Sequence, residues 1–166
     1  DYAIVGNSAA AVNAVESIRE RDGDGSIGLF GEEKHRCYSR PLISYLVAGE
    51  IGTKGMYYRP SNWYRKMSVE FRPGERVTSI SAARKTVTTG SGEKAKWGKM
   101  LLATGFTPFT PPIDGLEEVE YITFVSWDDA RRMLSLTAKP VRALVVGAGL
   151  IGMKAAEALR ALRAIG

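Results

Sequence analysis

The sequence predicts an α/β fold organised around a parallel sheet. Two observations carry that prediction and a third refines it. The chain opens on a strand–glycine–helix–strand pattern and closes on a second strand–glycine–helix pattern. The stretch from 69 to 103 is rich in β-branched residues, period-two alternation and glycine turns, which mark a small antiparallel insertion. A strand–helix–strand unit implies parallel strands joined by a right-handed crossover.

Taken in order, YAIV at 2–5 is a fully apolar strand ended by Gly6. In SAAAVNAVESIRERDG, Ala10, Val12, Val15 and Ile18 recur at roughly helical spacing, and Gly23 reads as the helix stop. SIGLFG is a second buried strand. SRPLISYLVAGE reads as a short helix entered through Pro41 and closed by Gly49. RPSNWYRKM reads as another, started by Pro60 or Ser61. VEF, RVTSISA, KTVTTG and KWGKMLLATG form the insertion, which returns to a buried strand in MLLATG. TPFTPPIDG at 107–115, with Pro108, Pro111 and Pro112, is the linker candidate. SWDDARRMLSL is an amphipathic helix capped by Ser126. VRALVVGAG is a buried strand, and LIGMKAAEALRALRAI a closing helix.

Composition narrows the function classes. With 45% hydrophobic and 25% charged residues in 166, the chain has enough apolar content for a sizeable core. Its formal net charge of +5 comes from scattered Lys and Arg. That suits a solvated basic surface, with attraction to an acidic partner or anionic cofactor as the alternative. No nucleic-acid reader motif is present, so nucleic acid is not an expected partner. The single Cys37 allows no internal disulfide, and with His35 as the lone histidine no metal site is expected. No signal peptide or membrane-length apolar run appears, so no membrane association is expected and the cytoplasm is the default compartment.

The chemistry-bearing signal lies in the two glycine turns. Gly147, Gly149 and Gly152 make G-x-G-x-x-G between a strand and a helix. The first glycine permits the turn, the second lets backbone approach a pyrophosphate, and the third lets helix and strand pack closely. The helix N-terminus offers free N–H groups to the phosphates. The first turn, GNSAAA, is a degenerate version with Gly6, Ser8 and Ala11 in the three positions. An acidic residue after the second strand would bond a ribose hydroxyl. LFGEEK offers Glu32 and Glu33, with an exposed acidic pair as the plainer reading.

In this order, the motifs AIVGNSAAAVNAVESIR, YSRPLISYLVAGE, YYRPSNWYRKMSVEF, VTSI, KMLLATGFTPFTPPIDG and VVGAGLIGMKAAEAL resemble a family over nearly the whole chain. It is the pyridine nucleotide–disulfide oxidoreductase superfamily of glutathione-reductase-like flavoproteins. The similarity is strongest to the branch holding NADH:rubredoxin reductases and the flavoprotein part of nitrite reductases. It implies a Rossmann-like FAD-binding domain over 1–115, followed by the start of a second Rossmann-like, NAD(P)-binding domain over 116–166.

Position by position, the resemblance implies that Gly6, Ser8, Ala9 and Ala10 hold the FAD pyrophosphate and Glu33 the adenosine ribose. Arg40 and Pro41 would line the flavin side, and Val77 would offer its backbone to the adenine. Ala103, Thr104 and Gly105 would close over the FAD diphosphate, and Gly147, Gly149 and Gly152 would open the NAD(P)H site. The implied activity is hydride transfer from NAD(P)H to FAD, then electron delivery to an acceptor: a rubredoxin-, ferredoxin- or nitrite reductase-like protein, or a small molecule. No side chain is expected to act as a catalytic acid or base. Three departures stand out: Ala11 for the third glycine, Gly98 where many relatives carry Asp, and Lys154 where many carry Glu.

Aligned on SYLVAGE, the redox cysteine of some relatives would fall at Pro41; Cys37 lies four residues earlier and reads as a packed thiol. A disulfide or peroxide reductase of the same fold is the first alternative, and a non-catalytic flavin-binding module the second. A homodimer, or assembly with further polypeptide, stays open. The resemblance also implies that this sequence is the N-terminal portion of a longer flavoenzyme. The 166 residues alone are then expected to bind FAD weakly at best and to show no steady-state NADH oxidation, which a spectrophotometric assay of the isolated chain checks.

Overall fold

Strand β1 (Tyr2–Val5) lies at the interior of a four-stranded parallel sheet in a computed structural model that describes residues 1–164. β1 pairs with β2 (Ile27–Gly31) on one side and with β7 (Lys99–Leu102) on the other. β2 pairs in turn with β3 (Val69–Pro73), giving the order β3-β2-β1-β7. Helix α1 (Ala9–Arg19) makes the crossover from β1 to β2. A three-stranded antiparallel sheet of β4 (Val77–Ser81), β5 (Thr86–Thr89) and β6 (Lys94–Lys96) is inserted between β3 and β7.

The chain forms two compact units. The first contains residues 1–38 and 57–106, hence both sheets. Alternation along β1 sends Ile4 to one core and Ala3 to another. Ile4, Ala11, Val12, Val15, Leu29, Trp63 and Tyr64 make the core on the helix side. Ala3, Phe30 and Val87 make the other, with Val77, Trp97 and Met100 against it. The second unit contains residues 39–56 and the chain from Thr107 onward. Here α2 (Ile43–Val47) follows a 3-10 turn at Arg40–Leu42 and packs against α4 (Trp127–Leu136) and α5 (Leu150–Ala164).

Several expectations shift. VEF was expected in the antiparallel insertion, but β3 extends the parallel sheet, because Val69 and Phe71 find apolar partners beside β2. MLLATG was expected to be buried. Instead β7 is an edge strand, and Leu102 is 59% exposed. VRALVVGAG forms no strand among the described residues, and Leu144 is 89% exposed. A strand needs a neighbour to satisfy its backbone. Helix α3 (Trp63–Lys66) starts after Asn62, not at Pro60 or Ser61. The closing helix was expected to include Ile165, which lies outside the described residues.

Two side-chain clusters determine where α1 ends and what it rests on. α1 stops at Arg19, ahead of Gly23, and the Arg19 guanidinium donates to the carbonyls of Met67 (2.7 Å), Asp22 (3.0 Å), Gly25 (2.8 Å) and Ser68 (3.1 Å). Midway along α1, Glu16 receives both arms of Arg59 (2.7 and 2.9 Å) and the Trp63 indole N–H (3.0 Å). The start of α4 is equally local. Ser126 caps it by accepting from the Asp129 N–H at 3.0 Å, while the Asp129 carboxylate accepts from the Ser126 and Val125 N–H groups.

The Arg59 hydrogen bond holds the Glu16 carboxyl below the usual carboxylate range, against a smaller desolvation effect and with help from Trp63. Because the native value is the depressed one, the brace stabilises fully above the ordinary range of about 4–5 and is lost as pH falls through the native value. Urea unfolding from pH 7 to pH 3 should therefore show Glu16→Gln less stable than wild type at neutral pH, with the gap closing in acid. A constant gap would contradict this.

Candidate dinucleotide-binding site

In the first unit the parallel strands deliver their C-terminal ends to one place. β1 ends at Val5, whose carbonyl accepts the Ala103 N–H at 2.7 Å, and the Gly6 N–H donates to the Phe30 carbonyl at 2.8 Å. Gly6 has φ +117, and a Cβ there would collide with the Ala103 carbonyl. Glycine is therefore required at position 6 on two separate grounds, a left-handed backbone and a close backbone approach. Gly6 and Ala103 are thereby brought together, with Thr104 and Gly105 exposed just beyond.

Ser8 is the residue before α1, in extended conformation, and its side chain makes no capping bond. No acidic residue lies in the first turn, and Ala9 and Ala10 are exposed. The leading N–H groups of an α-helix have no intrahelical acceptor, so this end of α1 carries uncompensated positive potential. Ala11, in place of the third glycine, is fully buried, and its methyl is absorbed in the core against Ile4 and Val12.

After β2, Glu33 is half-buried and its carboxylate accepts the Tyr38 hydroxyl at 2.6 Å. Glu32 is exposed and faces Arg76 at 3.5 Å. The Gly74 N–H bonds the Glu33 carbonyl (3.2 Å) and the Glu75 N–H the Gly31 carbonyl (2.9 Å). The turn leading to Val77 is thus fastened to the segment that carries Glu33.

The remaining candidates lie in the second unit. Arg40 donates to the Val125 carbonyl at 2.8 Å, and Pro41 is exposed in the first turn before α2. Gly147 has φ +111, and a Cβ on Gly152 would strike the Gly147 carbonyl. Gly149 faces open space, with nothing within 4 Å of where a Cβ would stand. Lys154, one turn into α5, is paired with Glu157 at 2.7 Å, which pushes its pKa up, and sits 5.2 Å from the Tyr45 ring.

Back in the first unit, three residues without an assigned sequence role lie beside the Gly6 turn or the Glu33 segment. Tyr38 orients Glu33. The Tyr58 hydroxyl is buried beside the Ser8 side chain and makes no hydrogen bond of good geometry. Burial pushes its pKa up to about 12, so it stays a protonated donor. Asn7 bonds the His35 carbonyl and Tyr64. Tyr38 and Tyr58 sit within quoted motifs, YSRP and YYRP, but a tyrosine in a motif does not announce where its hydroxyl points.

These features fit a dinucleotide: a glycine cradle that a Cβ would fill, an uncapped helix end beside it, a carboxylate on the neighbouring loop, and an orphaned buried hydroxyl. Cys37 is buried, and burial pushes its thiol up despite the nearby Tyr64 hydroxyl. A neutral, enclosed thiol is a poor nucleophile. Among the described residues no cluster of metal-ligating side chains occurs, and no helix is long and apolar enough to cross a membrane.

Gly6→Ala should lower stability by about 3 kcal/mol, combining backbone strain with the collision at Ala103. Gly149→Ala should stay within about 0.5 kcal/mol of wild type. Thermal unfolding of both variants checks this, and an unperturbed Gly6→Ala would contradict it.

The chain is similar to known proteins over nearly its whole length. The family described as pyridine nucleotide-disulphide oxidoreductase matches residues 1–164. The NADH-dependent phenylglyoxylate dehydrogenase subunit epsilon of Aromatoleum evansii is 35% identical over 158 residues, covering 95% of this chain and 38% of the relative. The nitrite reductase [NAD(P)H] of Bacillus subtilis is 32% identical over 157 residues, covering 94% and 20%. The crystal structure of NADH:rubredoxin oxidoreductase from Clostridium acetobutylicum superposes with TM-score 0.87 at 25% identity, covering 97% of this chain and 42% of that one. The chain therefore spans well under half the length of these proteins. By the match along its length, the chain belongs to the pyridine nucleotide-disulphide oxidoreductase family, a family of FAD-dependent NAD(P)H oxidoreductases.

Proposed function

We propose that this chain supplies the FAD-binding part, and the opening of the NAD(P)H-binding part, of a flavoprotein that passes reducing equivalents from NAD(P)H to a redox partner. Functionally, residues 1–115 serve FAD and residues 116–166 begin the nicotinamide domain. The observation that carries this reading is the contact of Gly6 with Ala103 beside the uncapped start of α1. It presents the leading backbone N–H groups of α1 toward the place a pyrophosphate would occupy.

In this reading Gly6, Ser8, Ala9 and Ala10 hold the diphosphate, with Ala103, Thr104 and Gly105 closing over it. Glu33, oriented by Tyr38, accepts from the adenosine ribose. Val77 presents backbone to the adenine, Arg40 and Pro41 line the flavin, and Gly147, Gly149 and Gly152 receive NAD(P)H. The redox chemistry itself belongs to the bound flavin and nicotinamide. The chain's residues bind and orient; none holds a proton for the reaction.

The acceptor is a protein carrying a metal redox centre. Support comes from the relatives, whose names include a nitrite reductase, a rubredoxin oxidoreductase and ferredoxin–NAD(+) reductase components. The enclosed Cys37 disfavours thiol or peroxide chemistry.

The test is anaerobic addition of NADH or NADPH to the complete natural polypeptide loaded with FAD. The flavin band near ~450 nm should bleach and recover on adding oxidised rubredoxin or ferredoxin. Flavin that binds but does not bleach would replace this reading with a non-catalytic flavin-binding module.

A further inference from the structure

We propose that Asn7 is a positioning residue that fixes the diphosphate-binding turn relative to the segment carrying Glu33. The inference rests on the flavin-binding reading above and assigns a role that reading does not contain. Asn7 stands between Gly6 and Ser8, and both halves of its amide are used. Its Nδ2 donates to the His35 carbonyl at 3.1 Å. Its Oδ1 accepts from the Tyr64 hydroxyl at 2.8 Å, and the Tyr64 oxygen accepts the Cys37 N–H at 2.9 Å.

The circuit closes on itself. One end of the amide reaches residue 35 directly, and the other reaches residue 37 through Tyr64. The proton order leaves no freedom: the Tyr64 oxygen receives the Cys37 N–H, so its own proton goes to Asn7 Oδ1, and the Asn7 NH2 faces a carbonyl that can only accept. Tyr64 is held in turn by stacking on Phe71, with ring centroids 4.2 Å apart, and by edge contact with Trp63. The Asn7 Cβ also lies only 3.2 Å from where a Cβ on Gly31 would stand, so the glycine ending β2 lets the two turns meet.

The turn after β1 and the segment after β2 are therefore cross-linked by a network that only an asparagine completes. Alanine would lose both bonds. Aspartate would keep the shape but turn the donor facing His35 into a second acceptor. A ligand that spans diphosphate and ribose touches both segments and feels any shift between them. A ligand that reaches only the ribose side does not.

The experiment uses the complete natural polypeptide stripped of flavin, as wild type, Asn7→Ala, Asn7→Asp, Tyr64→Phe and the Asn7→Ala/Tyr64→Phe double variant. FAD binding is read by flavin fluorescence, and ADP and adenosine by competition, well below each variant's unfolding temperature. We expect Asn7→Ala to weaken FAD and ADP roughly tenfold, Asn7→Asp to do the same while folding normally, and the double variant to bind no worse than Asn7→Ala. Adenosine should be unaffected. Unchanged FAD affinity in the Asn7 variants, an equal loss for adenosine and ADP, or losses that multiply in the double variant would each overturn the proposal. A wild type that binds no FAD would instead overturn the flavin reading on which the proposal stands.

Discussion

No side chain fits between the end of β1 and the end of β7. The Gly6 Cα faces the Ala103 carbonyl so closely that a methyl group would collide with it, and the order of the four-stranded sheet is consistent with that approach. β1 has β2 on one flank and β7 on the other, and the chain leaves it through Gly6 at positive φ and turns at once into α1. The same turn exposes the start of α1 and its unpaired N–H groups. Sheet order, helix entry and the exposed helix N-terminus therefore meet at one crowded point, Gly6.

Polar braces hold the rest of the first unit in register with that turn. Arg19 gathers four carbonyls at the far end of α1, and Glu16 gathers Arg59 and Trp63 at its middle. Hydrogen bonds to charged groups contribute more than neutral ones, about 1.5–3 kcal/mol each when well formed. The bonds to Met67, Ser68, Arg59 and Trp63 span residues far apart in sequence, so they fasten the 58–68 segment to α1. Through Tyr64, that segment also reaches the Gly6–Ser8 turn at Asn7.

What was legible in the sequence followed local rules. β1, α1, β2 and the Ser126 cap came from periodicity and cap chemistry, and the glycines at 6, 147 and 152 from turn geometry. The remainder depended on distant partners. Val69 and Phe71 join the parallel sheet because β2 offers an edge, which three residues of sequence cannot reveal. Positions 141–148 carry strand composition without a strand, because composition does not supply a neighbour. Among the candidate site residues, Glu33 was distinguishable from Glu32 only as an alternative. Its partner Tyr38, and the Asn7–Tyr64 circuit, became visible only once hydroxyl directions were known.

The pairing of β1 with β7 also sets a schedule for the nascent chain. Residues 2–5 are made first but keep an open flank until residues 99–102 emerge, with the whole antiparallel insertion in between. Contacts of such sequence separation form slowly, because the loop entropy is lost before the contact rewards it. The Gly6–Ala103 cradle is therefore among the last features of this unit to assemble during synthesis. Until residues 99–102 pair with β1, the Gly6 turn stands without the Ala103 carbonyl that closes it, so the cradle reports on the completed sheet rather than on the strand–helix unit alone.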